Sequence, residues 1–129
     1  MSNPINEWFS KGDNDLLNVE NNLNSVHYPA DTVCFHCQQL AEKYLKGFLT
    51  YHNIIVEKTH NLLILYKSCI VIDPGFNEIH EDLINLNNYS VSIRYPDYID
   101  EITEEDAQEA YRQAKKIREL ILSKVKFES

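Results

Sequence analysis

Glycine and proline are scarce in this chain of 129 residues, at three and four. An all-β sandwich needs frequent tight turns, so their scarcity excludes that architecture and predicts that helices dominate. Positive charge is in deficit as well, with twelve Lys and Arg against twenty Asp and Glu and a formal charge of -8. General affinity for nucleic-acid backbone rests on clustered Lys and Arg, so only a local basic face remains open to that role. No apolar run approaches the ~18 to 20 residues that cross a bilayer, and Met1-Ser2-Asn3-Pro4 carries neither a charged lead nor a hydrophobic segment. No membrane contact is expected, and the predicted location is cytoplasmic. The three cysteines are an odd number, and Cys34 and Cys37 lie within one helical pattern, so a disulfide framework is not expected. The length suits one core and one domain over residues 1–129.

What is present is amphipathic periodicity. From Ile5 to Ser25, the residues Ile5, Trp8, Phe9, Leu16, Val19, Leu23 and Val26 fall on steps of three and four, the spacing of one helical face. Gly12 and Asp13-Asn14-Asp15 interrupt that pattern and predict a fray or kink. His27-Tyr28-Pro29-Ala30 ends it, because a residue before proline is pushed out of the helical region. A second helix, capped by Asp31 or Thr32 and reaching about His52, buries Val33, Cys37, Leu40, Ala41, Tyr44, Leu45, Phe48 and Leu49. Gly47 is its weak point, and Asn53-Ile54-Ile55-Val56 predicts an extended exit. Thr59 offers a cap for a third helix with Leu62, Leu65, Tyr66 and Cys69. Asp73-Pro74-Gly75 is a turn, after which Phe76, Ile79, Leu83, Leu86 and Tyr89 mark a fourth helix. Residues 90–102 lose the periodicity and read as an ordered loop, since they carry many large apolar side chains. Thr103 and Asp106 then form a capping-box pattern for a fifth helix with Ala107, Ala110, Tyr111, Ala114, Ile117, Ile121 and Val125 inside. Its acidic first turn and basic second half match the helix dipole. The fold class is therefore all-α, an antiparallel up-and-down bundle of about five helices.

Few residues arrange themselves for chemistry. Cys34-Phe35-His36-Cys37 has the look of a metal or redox motif, but no second Cys or His pair accompanies it, and two small buried or half-buried apolar residues on successive turns explain it better. His80-Glu81 lacks the second histidine of a zinc-protease helix, since Ile84 stands there. Three scattered glycines cannot build a phosphate-cradling loop, and neither metal nor cofactor is expected. The remaining candidate is the loop around Arg94, with Tyr95, Asp97 and Tyr98 held together by Pro96. Arginine captures phosphate or carboxylate with two parallel bonds and tyrosine stacks on bases, while an arginine pairing with Asp97 would serve only as a brace. Lys43 and Lys46 on the second helix, with Lys58 and His60 after it, can add positive charge, though solvated helix-face lysines account for the first two as well.

Taken in order, Phe35-His36-Cys37-Gln38-Gln39-Leu40-Ala41-Glu42-Lys43-Tyr44-Leu45-Lys46-Gly47, Thr59-His60-Asn61-Leu62, Arg94-Tyr95-Pro96-Asp97 and an Ala-rich last helix resemble the HEPN domain family (higher eukaryote and prokaryote nucleotide-binding). The resemblance implies a bundle of four to five helices, a homodimer, and pairing with a minimal nucleotidyltransferase in a toxin-antitoxin arrangement. It also implies nucleotide or RNA as ligand. Many members are metal-independent ribonucleases that use an R-x4-6-H motif, with the histidine moving a proton on the ribose hydroxyl and the arginine holding phosphate charge. Arg94 matches the first residue of that motif, but Ile99, Asp100 and Glu101 occupy the positions open to the histidine. Catalytic residues are thus left unassigned. The departure favours a binding module, with Arg94, Tyr95, Asp97, Tyr98, His60, Lys58 and Lys43 as its candidate contacts. The alternative is a ribonuclease toxin with a divergent site built from Arg94, His60 and a carboxylate such as Asp97 or Glu101, in which His60 approaches Arg94 from another helix or from a partner subunit.

Overall fold

The computed structural model describes residues 3–90 and 101–126. Five α-helices account for most of them: α1 (Pro4–Leu23), α2 (Ala30–Tyr51), α3 (Leu62–Ile72), α4 (His80–Asn87) and α5 (Glu104–Lys124), with a 3-10 turn (Pro74–Ile79) leading into α4. No strand occurs among the described residues. This is the all-helical bundle that the periodicity predicts. Helix α2 is its axle, packing against α1, α3, α4 and α5.

Burial follows the predicted stripes closely on α2, where all eight expected apolar residues are buried, and on α5, where only Tyr111 is half-buried. On α1 it follows them less well. Phe9 and Val19 are buried, Ile5, Leu16 and Leu23 pack at the edge of the core, and Val26 is 86% exposed because the helix ends before it at Leu23. Helix starts also differ from expectation. Pro29, with its fixed φ, sets the entry to α2 directly, so Asp31 falls inside the first turn and favours the helix dipole there, with no side-chain cap. At α3 the cap is Asn61, whose side chain accepts from the Leu63 amide, while Thr59 caps the preceding turn by accepting from the Asn61 amide. The Thr103–Asp106 capping box of α5 forms in both directions, as expected.

The fray or kink that Gly12 suggests does not break the helix, since α1 runs through it. Gly12 instead gives room for Tyr44 of α2: a methyl group there would lie 2.8 Å from the ring. Gly47 plays the same part from the other side, since a Cβ would run into the Phe9 ring, which stacks on Tyr44 with centroids 4.6 Å apart. Two glycines thus bring α1 and α2 together on interlocked aromatic rings.

Pair contacts give the directions. Phe9 meets Gly47 and Asp15 meets Lys43, so α1 and α2 are antiparallel. Asp82 binds Lys116 and Asn85 binds Gln113, which makes α4 and α5 antiparallel too. Between α2 and α3 the link is no tight turn. Asn53 takes a left-handed φ of 60°, and the chain returns along α2 until His60 lies beside Gln38 and Glu42. Near the far end of α5, Lys124 donates to Asp73, which also accepts from the Gly75 amide and is held below the usual carboxylate range mainly by that lysine.

Two outcomes follow from this packing. Gly47→Ala gains helix propensity worth ~1 kcal/mol but drives a methyl into the stacked rings, so urea denaturation should show a net loss of about 1–2 kcal/mol. Asp73, being held low when folded, contributes stability above its unfolded value of about 3.9 and loses it as pH falls further. Asp73→Asn should accordingly flatten the acid limb of the stability curve below about pH 4.

Candidate functional site

Helix α2 carries polar side chains at positions its apolar neighbours would otherwise make core. Gln38, Glu42 and Lys46 follow one another at intervals of four and are all buried. Each is satisfied. Lys46 donates to Glu42 Oε2 at 3.0 Å and lies 5.5 Å from the centre of the Trp8 ring on α1. Glu42 Oε1 is bound at 2.9 Å by Nδ1 of His60. Gln38 Nε2 donates to the backbone carbonyl of His60 at 2.9 Å, and Gln39 donates to Gln38 Oε1. His60 is thereby held twice, by its ring and by its backbone, while its side chain stays 74% exposed. Lys58, two residues before it, is exposed as well.

The next residues tie this point to α4. Asn87, its last residue, accepts from the Leu62 amide at 2.9 Å and donates to Asn61 Oδ1 at 3.2 Å. The end of α4 is therefore fixed against the two residues that follow His60. Arg94, Tyr95, Asp97 and Tyr98 themselves lie outside the described residues. Of the seven candidates, the structure brings His60 and Lys58 to one exposed place.

Lys43 is elsewhere. It points across to α1, where the buried carboxylate of Asp15 accepts from Lys43 at 2.5 Å and pairs with His36 Nδ1 at 2.7 Å. Neither Lys43 nor Lys46 is the solvated helix-face lysine that spacing alone allows; buried acids on α1 and α2 recruit both. Asp13 works similarly, accepting from Tyr44 Oη at 2.6 Å and from Arg118 Nε at 2.9 Å, so α1 is clamped to α2 and α5 together. Burial, with the Asp13 hydrogen bond second, pushes the Tyr44 hydroxyl well up. Glu20 accepts from Tyr111, whose hydroxyl is pushed up to about 12, first by that bond.

The cysteines are core residues. Cys34, Cys37 and Cys69 are buried and form no disulfide, and burial raises the Cys37 thiol strongly and the Cys69 thiol to about 12. Such thiols are poor nucleophiles. No group of three or more His, Cys, Asp and Glu fit for a metal ion occurs among the described residues, and none of the described helices is long and apolar enough to cross a membrane.

His60 was legible in the sequence, whereas Glu42, which holds it, was missed. Glu42 stood out as an acid inside the broadest apolar stripe of the chain, four residues from both Gln38 and Lys46. Asp13 and Asp15 read as helix breakers, whereas their acidity in a half-apolar helix signalled partners across the core.

An all-helical bundle whose central helix secures an exposed imidazole through a buried carboxylate defines the class of fold. Residues 5–125 match the model of the HEPN domain, and the chain belongs to that family. Two solved structures are similar along almost the whole length: an archaeal HEPN homologue, ST0689, at 25% identity with a TM-score of 0.76, over 98% of this chain and 100% of that one; and TT1696 from Thermus thermophilus, at 25% identity with a TM-score of 0.77, over 96% and 100%. No curated protein matches the chain.

Removing Glu42 leaves a buried ammonium without its counter-charge, a change that costs several kcal/mol when solvent cannot reach the group. Lys46 has the Trp8 face as partial compensation, so Glu42→Ala should lower unfolding stability by about 2–3 kcal/mol. Adding Lys46→Met should restore at least half of that loss; no recovery would show that the ion pair is not what Glu42 supplies.

Proposed function

We propose that this HEPN domain is a binding module for a phosphate-bearing nucleotide, through His60, Lys58 and Arg94 with the tyrosines beside Arg94. The observation that supports it most is the exposed His60, fixed by Glu42 and Gln38 next to an exposed lysine. The tie of Asn87, the last residue of α4, to Asn61 and Leu62 supports including the Arg94 segment, which follows α4 in the sequence. Mononucleotide or an RNA end suits the site better than a long backbone, because most described basic side chains are already paired: Lys43, Lys46, Arg112, Lys116, Arg118 and Lys124 all meet acids.

The module acts as a homodimer and pairs with a minimal nucleotidyltransferase in a toxin-antitoxin arrangement, in the cytoplasm. Exposed Ile55, at 93%, and Val71, at 82%, support an association surface, and cysteines that form no disulfide suit a reducing compartment. A second reading, a metal-independent ribonuclease, is favoured by one observation: an imidazole oriented by a buried carboxylate is the arrangement that proton transfer uses.

Titration with AMP, followed by NMR, should give binding in the millimolar range or tighter, weakened by Lys58→Ala and abolished by Arg94→Ala. An unchanged spectrum at about 10 mM AMP would contradict the reading. Mixed RNA incubated in EDTA should stay intact; cleavage that disappears in His60→Ala would move the assignment to the nuclease. Light scattering at micromolar concentration should return about twice the chain mass of 15.1 kDa.

A further inference from the structure

The two ring nitrogens of His60 are not equivalent. Glu42 Oε2 is occupied by the Lys46 ammonium and Oε1 by His60 Nδ1, and a carboxylate can only accept. Nδ1 must therefore carry the proton that it donates. In the neutral ring that leaves Nε2 bare, and the hydrogen bond made by one nitrogen fixes the state of the other. Lys46 sits on the far side of Glu42 with its side chain 8% exposed, so it holds the carboxylate in place without reaching a ligand itself. The Gln38 bond to the His60 carbonyl prevents the residue from drifting as a loop side chain would. No partner for Nε2 occurs among the described residues, and the ring is largely in solvent.

We propose that Glu42 is a positioning residue that holds neutral His60 in the Nδ1–H form, so that its outward Nε2 accepts a hydrogen bond from a ligand hydroxyl and the site selects nucleotides with ribose hydroxyls over those without. This rests on the nucleotide reading above and deepens it. Lys58 answers the phosphate as a point charge, a contact that carries no information about the sugar. Nε2 answers the sugar. A bare nitrogen rewards a donor and gains nothing from a C–H, and a ribose hydroxyl is what lets a protein tell one sugar from another. A protonated Nε2 would reverse the preference, favouring a second phosphate oxygen.

Glu42→Gln separates the two states of the ring. The new amide oxygen is drawn to the Lys46 ammonium, which turns the NH2 toward Nδ1, so Nδ1 must accept and the proton moves to Nε2. The substitution therefore inverts the ring while keeping the shape of the side chain.

The test has two measurements on the full chain. At about pH 8.5, where an ordinary imidazole is neutral, 15N-resolved NMR of wild-type His60 should show a protonated Nδ1 and a bare Nε2, exchanged in Glu42→Gln. A protonated Nε2 in the wild type overturns the proposal, and this result needs no variant to fold. AMP and 2′,3′-dideoxy-AMP are then titrated against both proteins. Wild type should prefer AMP by about tenfold, and Glu42→Gln should bind the two within about threefold. Equal wild-type affinity for both overturns the sugar selection and leaves nucleotide binding standing. Binding of neither removes the nucleotide reading and this one with it.

Discussion

Buried acids organise this bundle. A carboxylate taken out of water costs several kcal/mol unless a cation or several donors meet it, so each one dictates what must stand opposite. Asp15 and Glu42 are both nearly inaccessible, and each is met by a lysine and a histidine. Their partners come from different places. Asp15, on α1, takes His36 and Lys43 from α2, which fixes the rotation of one helix on the other beyond what apolar packing alone requires. Glu42, on α2, takes Lys46 from its own next turn and His60 from the returning segment, which fixes a connection that has no regular structure.

The same pairing explains the electrostatic character of the surface. The chain is acidic overall, yet on α1 Asp13, Asp15 and Glu20 are engaged in internal contacts with α2 and α5. Most described basic side chains are engaged likewise. Among the described residues near His60, Lys58 is exposed and forms no ion pair. The aromatic interlock of Phe9, Tyr44 and the two glycines works beside these pairs, bringing α1 close enough to α2 for short polar bonds to form.

The helices and most of the core were legible in the sequence, because apolar spacing decides which face of a long helix is buried. The family was legible too, from the order of Gln38-Gln39, Glu42-Lys43, His60 and Arg94. Helix starts were harder: Pro29 and Asn61 prevail over the residues that cap preference favours, since proline geometry at one and, at the other, the Leu62 amide's bond to Asn87 of α4 fix the boundary. Of the candidate contacts, Arg94, Tyr95, Asp97 and Tyr98 lie outside the described residues, and the other three divide. His60 and Lys58 lie together, but Lys43 belongs to the α1 contact, and a lysine on a helix looks alike in sequence whether water or a buried acid receives it. Only the three-dimensional meeting of Glu42 with His60, eighteen residues apart, distinguishes a held imidazole from a loose one.

Glu42 ties the returning segment to the axle helix, and the placement of His60 depends on that tie. Amide hydrogen exchange of residues 56–63 compared between wild type and Glu42→Ala measures it directly. The expected result is exchange at least about tenfold faster there in the variant, with the Phe9–Tyr44 region of α1 and α2 far less affected. Unchanged protection of 56–63, with the loss spread evenly over the bundle, would contradict it.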